Sequence, residues 1–383
     1  MKKTIIAAFA ATIAATASAA SIDSLAVSIA RANPAFAARS SQLSAAALSL
    51  QAEGMLPGPE IEGEHLWGPA GDNRWGLGVS QAFDWPGVYA ARRAERRASG
   101  NAFAQLAATE LAEQTLAAKL ALIDLVAARR AAAVIADIND NVQELLRFTQ
   151  RALDHGQATI LDLRKLQIES LDIAQRLEQA ELDRAAAIAQ LRAMGYDAEA
   201  PADLDYPVAA PDYAAAEARW QASPALLAAL AQAEAADSRA RVASRSMLPG
   251  FAVGYRHQFE GGNHFNGISA AIALPAWGSG RAKAAAQAEA TAARLQAETV
   301  ASENTARFDE TRRRVETLRE RVSRYAEALG SSDYTAMLRK SLDGGQISML
   351  TYVQELNFLL EARLACASVE KEYHTALATL FKY

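Results

Sequence analysis

Five histidines and one cysteine are the residues of this chain whose types could hold a metal ion or supply a nucleophile. His65, His257 and His264 fall in or beside segments of alternating polarity, and no i, i+4 or other ligand spacing links them. They are expected as surface or lumen residues, with no metal site. Cys366 is the only cysteine, so a zinc-type cysteine cluster is excluded. Its neighbours Leu364, Ala365 and Ala367 predict a small buried hydrophobe on a helix. No Ser/His/Asp set, no pair of carboxylates in a cleft-like context and no phosphate-binding glycine loop stands out. The sequence therefore predicts no enzyme and no cofactor. The 39 basic and 44 acidic residues also argue against a nucleic-acid partner, whose surface would be basic.

A different kind of signal is repetition. Residues 153–163 read LDHGQATILDL, and residues 342–352 read LDGGQISMLTY, 189 residues later. Met55-Leu56-Pro57-Gly58 returns as Met247-Leu248-Pro249-Gly250 after 192, and Asn33-Pro34 returns as Ser223-Pro224 after 190. Three pairs in one order at nearly one period predict a chain built from two copies of the same run of elements. In each copy the glycine, Gly156 or Gly345, falls between two stretches of helical character. Glycine accepts the left-handed backbone that a helix C-cap requires. Thr159 and Ser348 are then placed to cap the returning helix or to offer hydroxyls to a partner.

The elements around these phrases divide into strands and long helices. Trp75, Leu77, Val79, Gln81 and Phe83 alternate with Gly76, Gly78, Ser80 and Ala82. Glu60, Glu62 and Glu64 alternate with Ile61, His65 and Trp67. Phe251, Val253, Tyr255 and Phe259 alternate with Ala252, Gly254, Arg256 and Gln258. Ile268, Ala270, Ile272 and Leu274 complete a fourth strand. The two hairpin loops are GPAGDN at 68–73 and EGGNH at 260–264. Each strand has about the length that crosses a bilayer. Trp67 and Trp75 stand at the loop end and Trp85 and Trp277 at the helix end, where a membrane barrel carries its aromatic girdles. A small soluble β-subdomain is the other reading of the same strands. Four strands cannot close a barrel and open edges cannot face lipid, so the membrane reading requires several copies to pool their strands.

Residues 88–152 contain no proline, and at 1.5 Å per residue such a helix spans on the order of 100 Å. Residues 281–341 repeat the pattern. Ala104, Ala108, Leu111, Ala118, Leu122 and Leu125 mark an apolar stripe at heptad spacing, interrupted by Thr115. Hydrophobic residues make up 51% of the chain but aromatics only 7%, a balance that favours closely packed helices over a bulky core. The basic run at Arg312–Arg314, Arg319 and Arg321 is expected to be solvated. At the start, Lys2 and Lys3 precede an apolar run and Ala17-Ser18-Ala19, which read as an export signal over 1–19, with an N-terminal membrane anchor as the alternative. No cysteine stands at the cleavage position, so the chain is not expected to be a lipoprotein. The expected plan is a first repeat over 20–200, with strands at about 59–67 and 74–83 and helices at about 88–152 and 158–194. A linker follows over 201–222. The second repeat covers 223–383, with strands at about 251–259 and 265–274 and helices at about 281–341 and 347–381.

These markers together resemble the TolC-like outer-membrane efflux proteins. The resemblance is carried by Asn33-Pro34, Leu56-Pro57-Gly58-Pro59-Glu60, Phe83-Asp84-Trp85-Pro86-Gly87, Leu274-Pro275-Ala276-Trp277-Gly278 and the Gly-Gln-x-Ser/Thr-x-Leu phrase of both halves. It covers nearly all of the chain after the export signal. The wording around Leu56 and Phe83 looks most like the heavy-metal efflux branch. The resemblance implies a mainly α fold with a β-barrel part. Three chains would share a twelve-stranded barrel in outer-membrane lipid, continuous with a periplasmic α-helical tunnel. It implies a passive exit duct for metal cations or small toxic molecules, fed by an inner-membrane pump of the RND type through a periplasmic adaptor. By the same resemblance Gly156, Gln157, Thr159 and Leu161, with Gly345, Gln346, Ser348 and Leu350, are the turns that meet the adaptor. The bare alternative is that they are only turns.

The sequence departs from the best-known members of that family at the tunnel constriction. The positions six and nine after Gly345, aspartate in some members, are Thr351 and Gln354 here. Asp162 does match a turn aspartate of the first half, and Glu355 could add an acid nearby, although an exposed helical glutamate is the simpler reading. A periplasmic coiled-coil adaptor or scaffold is the rival function. Adaptors carry one helical hairpin, and the duplicated strands and hairpins favour the channel.

Overall fold

The computed structural model describes residues 21–53, 56–68, 73–198, 200–207, 210–275, 278–330 and 334–383. The export-signal reading over 1–19, Met55, most of the first hairpin loop and Trp277 lie outside them. In the first half, α1 (Ile22–Ala32) and α2 (Pro34–Glu53) lead to β1 (Glu60–Leu66) and β2 (Arg74–Phe83). Then come α3 (Pro86–Asp154) and α4 (Ile160–Ala193). The second half runs α5 (Tyr213–Gln221), α6 (Pro224–Arg245), β3 (Gly250–Glu260), β4 (Asn263–Ala273), α7 (Ser279–Gly330), α8 (Tyr334–Asp343) and α9 (Met349–Leu380).

Local chemistry sets many of these bounds. Ser21 caps α1, Asp212 caps α5, and Ser223 caps α6 with Pro224 in its first turn. The cap at Asp212 makes a helix of residues 213–221, which the sequence plan reads as linker. By its position before the Ser-Pro step, α5 corresponds to α1. The stretch expected as one helix over 281–341 is two, α7 and α8, with residues 331–333 between them outside the described set.

The chain divides into two compact units. The first holds the chain up to Asn33 with Thr115–Pro211 and Val315–Thr379. One of its cores joins Ile22, Ala26 and Ile29 to Ala118, Leu122 and Leu125, and to Leu204 and Tyr206. A second joins Ile135, Ile138 and Val142 to Leu166 and Ile173, and to Tyr352, Leu356 and Leu360. The segment after α4 is tied down by two arginines. Arg129 donates to the carbonyls of Pro201 and Ala200 at 2.7 and 3.0 Å. Arg130 pairs with Asp205 and Glu370 at 2.6 and 2.5 Å and lies over the Tyr206 ring at 4.5 Å. Tyr206 in turn stacks on His374 at 4.1 Å. Burial, followed by the nearby Arg130 charge, pushes His374 down to about 4.

The second unit holds Pro34–Gln114, Asp212–Arg314 and Leu380–Tyr383. Here the expected heptad stripe fails. Ala104 and Ala108 are exposed, and Ala98 and Ala102 are buried instead, against Ala231 and Ala235. Trp220 is buried, donates to the Leu380 carbonyl at 2.7 Å and packs near Phe308. The arginines expected to be solvated, Arg312–Arg314 here and Arg319 and Arg321 in the first unit, are exposed.

The four strands of this unit form one antiparallel sheet in the order β1-β2-β3-β4. The middle pairing, β2 with β3, joins the two repeats, with Trp75 opposite Phe259, Val79 opposite Tyr255 and Phe83 opposite Phe251. One face therefore collects Ile61, Leu77, Val79, Val253, Tyr255, Ile268 and Ile272. It is apolar and open to the surroundings, Ile268 at 85% exposure and Leu77 at 51%. The other face is polar, with Arg256 paired to Glu62 at 3.2 Å and Arg74 paired to Glu260. Gly254 sits where the backbones crowd, since a Cβ there would lie 2.7 Å from the Val79 carbonyl and 2.9 Å from the Ser80 Cβ. No described helix is long and apolar enough to cross a membrane.

Candidate functional site

The two copies of the repeated phrase close the turns α3–α4 and α8–α9 with the same backbone device. Gly156 N–H donates to the Leu153 carbonyl at 2.9 Å and Gln157 N–H to Ala152 at 2.8 Å. In the second half Gly345 donates to Leu342 at 3.0 Å and Gln346 to Ser341 at 2.9 Å. Both are Schellman caps, and their glycines have φ of 72° and 66°. The returning helices begin differently. Thr159 accepts from Asp162 N–H, while the Asp162 carboxylate accepts from Thr159 N–H at 3.3 Å and from its hydroxyl at 2.6 Å, a complete capping box. The hydrogen bonds from Thr159 hold the Asp162 carboxyl below its usual range. Ser348 instead accepts from Thr351 N–H at 3.1 Å, and its hydroxyl lies 2.8 Å from that of Thr351.

The structure brings the two phrases together. Leu166 and Ile168 of α4 and Met349, Leu350 and Val353 of α9 line a shared cleft of about 230 Å³, rimmed by Asp162, Lys165 and Glu169. Gly156, Gln157, Thr159, Leu161, Gly345, Gln346, Ser348 and Leu350 are all exposed, and of these Leu350 lines the cleft. Cross-helix polar pairs fix the cleft walls. Glu169 accepts from Asn357, Arg176 pairs with Glu361, and Arg363 with Asp137 at 3.2 Å. Arg339 holds Glu144 with two hydrogen bonds of 2.9 and 3.2 Å, which keeps that carboxyl low and the guanidinium fully charged. The cleft has an apolar floor and mixed charge at its rim.

Of the residues expected at a constriction, Asp162 is engaged in its cap and Glu355 accepts from the Tyr334 hydroxyl at 2.6 Å. Thr351 is bonded to Ser348, and Gln354 is exposed. Trp67, Trp75 and Trp85 are exposed, and Trp75 stacks on Phe259 at 5.8 Å. Among the described residues no group of three or more His, Cys, Asp and Glu could hold a metal ion. Cys366 is half-buried, and burial pushes its thiol up, away from reactivity. Sequence reasoning missed the Arg130–Tyr206–His374 stack, whose only local signal is the aromatic Tyr206 between Asp205 and Pro207.

No family model matches this sequence, and no curated protein matches it significantly. Solved structures do match over almost the whole chain. A membrane protein from Pseudomonas aeruginosa superposes with a TM-score of 0.78 at 16% identity, covering 94% of this chain and 93% of that one. CusC, described in terms of transmembrane channel formation, gives 0.76 at 13% identity, covering 94% and 91%. The CmeC outer-membrane channel of Campylobacter jejuni gives 0.72 at 15% identity, covering 94% and 84%. The chain shares their fold. That fold is mainly helical with a small antiparallel sheet left open in the single chain.

Proposed function

We propose that this protein is the outer-membrane channel of a tripartite efflux system, in the TolC-like family. The observation that carries the reading is the open sheet, with one exposed apolar face, one polar face and two unpaired edges. A sheet of this kind is stable in lipid only if other copies complete it. Three copies supply twelve strands, with Ile61, Leu77, Val79 and Ile268 toward lipid and Glu62 and Arg256 toward the lumen. Trp67 and Trp75 form the aromatic band at the loop end, with Trp85 at the other. The fold shared with proteins described as outer-membrane and transmembrane channels supports the same reading.

In this reading the chain does no chemistry. It gives small toxic molecules or metal cations a passive way out, delivered by an inner-membrane pump of the RND type. The paired turns around Gly156 and Gly345 dock the periplasmic adaptor, with Leu161 and Leu350 as apolar contacts and Thr159 and Ser348 at the rim. Gln354 takes the place of a charged ring at the constriction. The chain is exported by its first 19 residues. Cell fractionation tests the reading. The protein is expected in the outer membrane, released as a trimer only by detergent, and its deletion is expected to sensitise cells to the exported compounds. Release with the soluble periplasm would favour the adaptor or scaffold reading instead.

A further inference from the structure

The β3–β4 hairpin brings together two histidines that no sequence spacing connects. Gly261 and Gly262 close the hairpin with φ of 52° and 86°, which sets His257 opposite Asn266 and His264 opposite Phe259. All four lie on the apolar face of the sheet. His264 Nδ1 stands 3.3 Å from His257 Nε2. The other ring nitrogen of His257, Nδ1, is 2.7 Å from Asn266 Oδ1, and the Tyr255 hydroxyl donates to that same oxygen at 2.6 Å. An amide oxygen can only accept, so the neutral form of His257 carries its proton on Nδ1 and presents the lone pair of Nε2 to its neighbour. Metal-ligating histidines are oriented by the same kind of bond from the remote ring nitrogen to an oxygen acceptor. Two imidazole nitrogens at about 2.0–2.1 Å from one tetrahedral ion stand about 3.3–3.4 Å apart, which is the separation found here. Trp75, 5.7 Å from His257, and Phe259, 5.0 Å from His264, limit how either ring can turn away.

We propose that His257 and His264 form a two-histidine site for a divalent transition-metal ion that favours imidazole ligands, such as zinc or copper(II), with water completing the coordination. Asn266 is the positioning residue, because it fixes the His257 tautomer through Nδ1. The competing account needs no ion, since His264 could simply donate a proton to His257 Nε2. The proposal does not rest on the channel reading.

Calorimetric titration of zinc into the tag-free, full-length protein in detergent tests it. One zinc per chain is expected. His264→Ala and His257→Ala should each weaken binding at least tenfold, and Asn266→Leu by about tenfold to a hundredfold. His155→Ala, in the α3–α4 turn of the other unit, should bind as the unaltered protein does. Absence of zinc binding, or binding unchanged by His264→Ala, would overturn the site. The copper(II) electron paramagnetic resonance spectrum of the unaltered protein gives a reading that needs no variant to fold. Two coupled imidazole nitrogens support the site, and one or none overturns it.

Discussion

Thr159 and Ser348 stand at equivalent points of the two repeats and cap their helices with different partners. Thr159 works with an ionised Asp162, Ser348 with the neutral Thr351. The two caps therefore respond differently to acid. The Asp162 carboxyl is held low in the fold, so its contribution is complete above the ordinary carboxylate range and is lost as pH falls through its depressed value. Hydrogen exchange at residues 160–165 should lose protection in acid, while residues 349–354 keep theirs. Asp162→Asn should abolish that difference, and equal acid sensitivity of the two turns would contradict it. The glycines permit a sharper test. Gly345→Val forces a β-branched residue to φ near 66° and should strain the turn by roughly 1–2 kcal/mol. The proposed trimer, held by long packed helices, should survive that loss. On the proposed channel reading adaptor docking depends on the turn's shape, so the expected phenotype is normal trimer abundance with weakened adaptor crosslinking. Loss of the trimer itself would make the phrase a folding element first, and intact crosslinking would leave it merely a turn.

At the scale of elements, the strands and the turns were legible because their signals are local. Alternation from Trp75 to Phe83 and the duplicated Gly-Gln phrase each report on a few neighbouring residues. What stayed hidden depends on register or on distant packing. The contact between His257 and His264 follows from how the hairpin closes, and the burial of Ala98 and Ala102 in place of Ala104 and Ala108 follows from where Ala231 and Ala235 lie. The Arg130–Tyr206–His374 stack joins parts of the chain far apart in sequence, and it carries its own prediction. His374 is pushed down to about 4 in the fold from 6.5, so the unfolded chain binds its proton first. Stability should be full above about pH 6.5 and fall as pH drops toward 4. Thermal melting of His374→Gln across that window should show a shallower decline than the unaltered protein, and an identical slope would remove His374 from the account. The sheet has a similar pivot in Gly254. Any side chain there meets the Val79 carbonyl, so Gly254→Val should part β2 from β3 and prevent membrane assembly.

For the whole molecule, the central claim is that separate chains pool their sheets, and the strand order makes it directly testable. β1 and β4 are opposite edges of one sheet, three strand spacings apart or roughly 14 Å, well beyond the Cα separation of about 7 Å that a disulfide can span. A bond between a cysteine in β1 and one in β4 can therefore form only between copies. With Cys366→Ala removing the native thiol, Glu62→Cys is combined in turn with single cysteines across residues 264–272 and oxidised in intact outer membranes. The account predicts a register at which covalent dimers and trimers appear and nothing larger does. No crosslink at any register, or a ladder that runs past three chains, would contradict it.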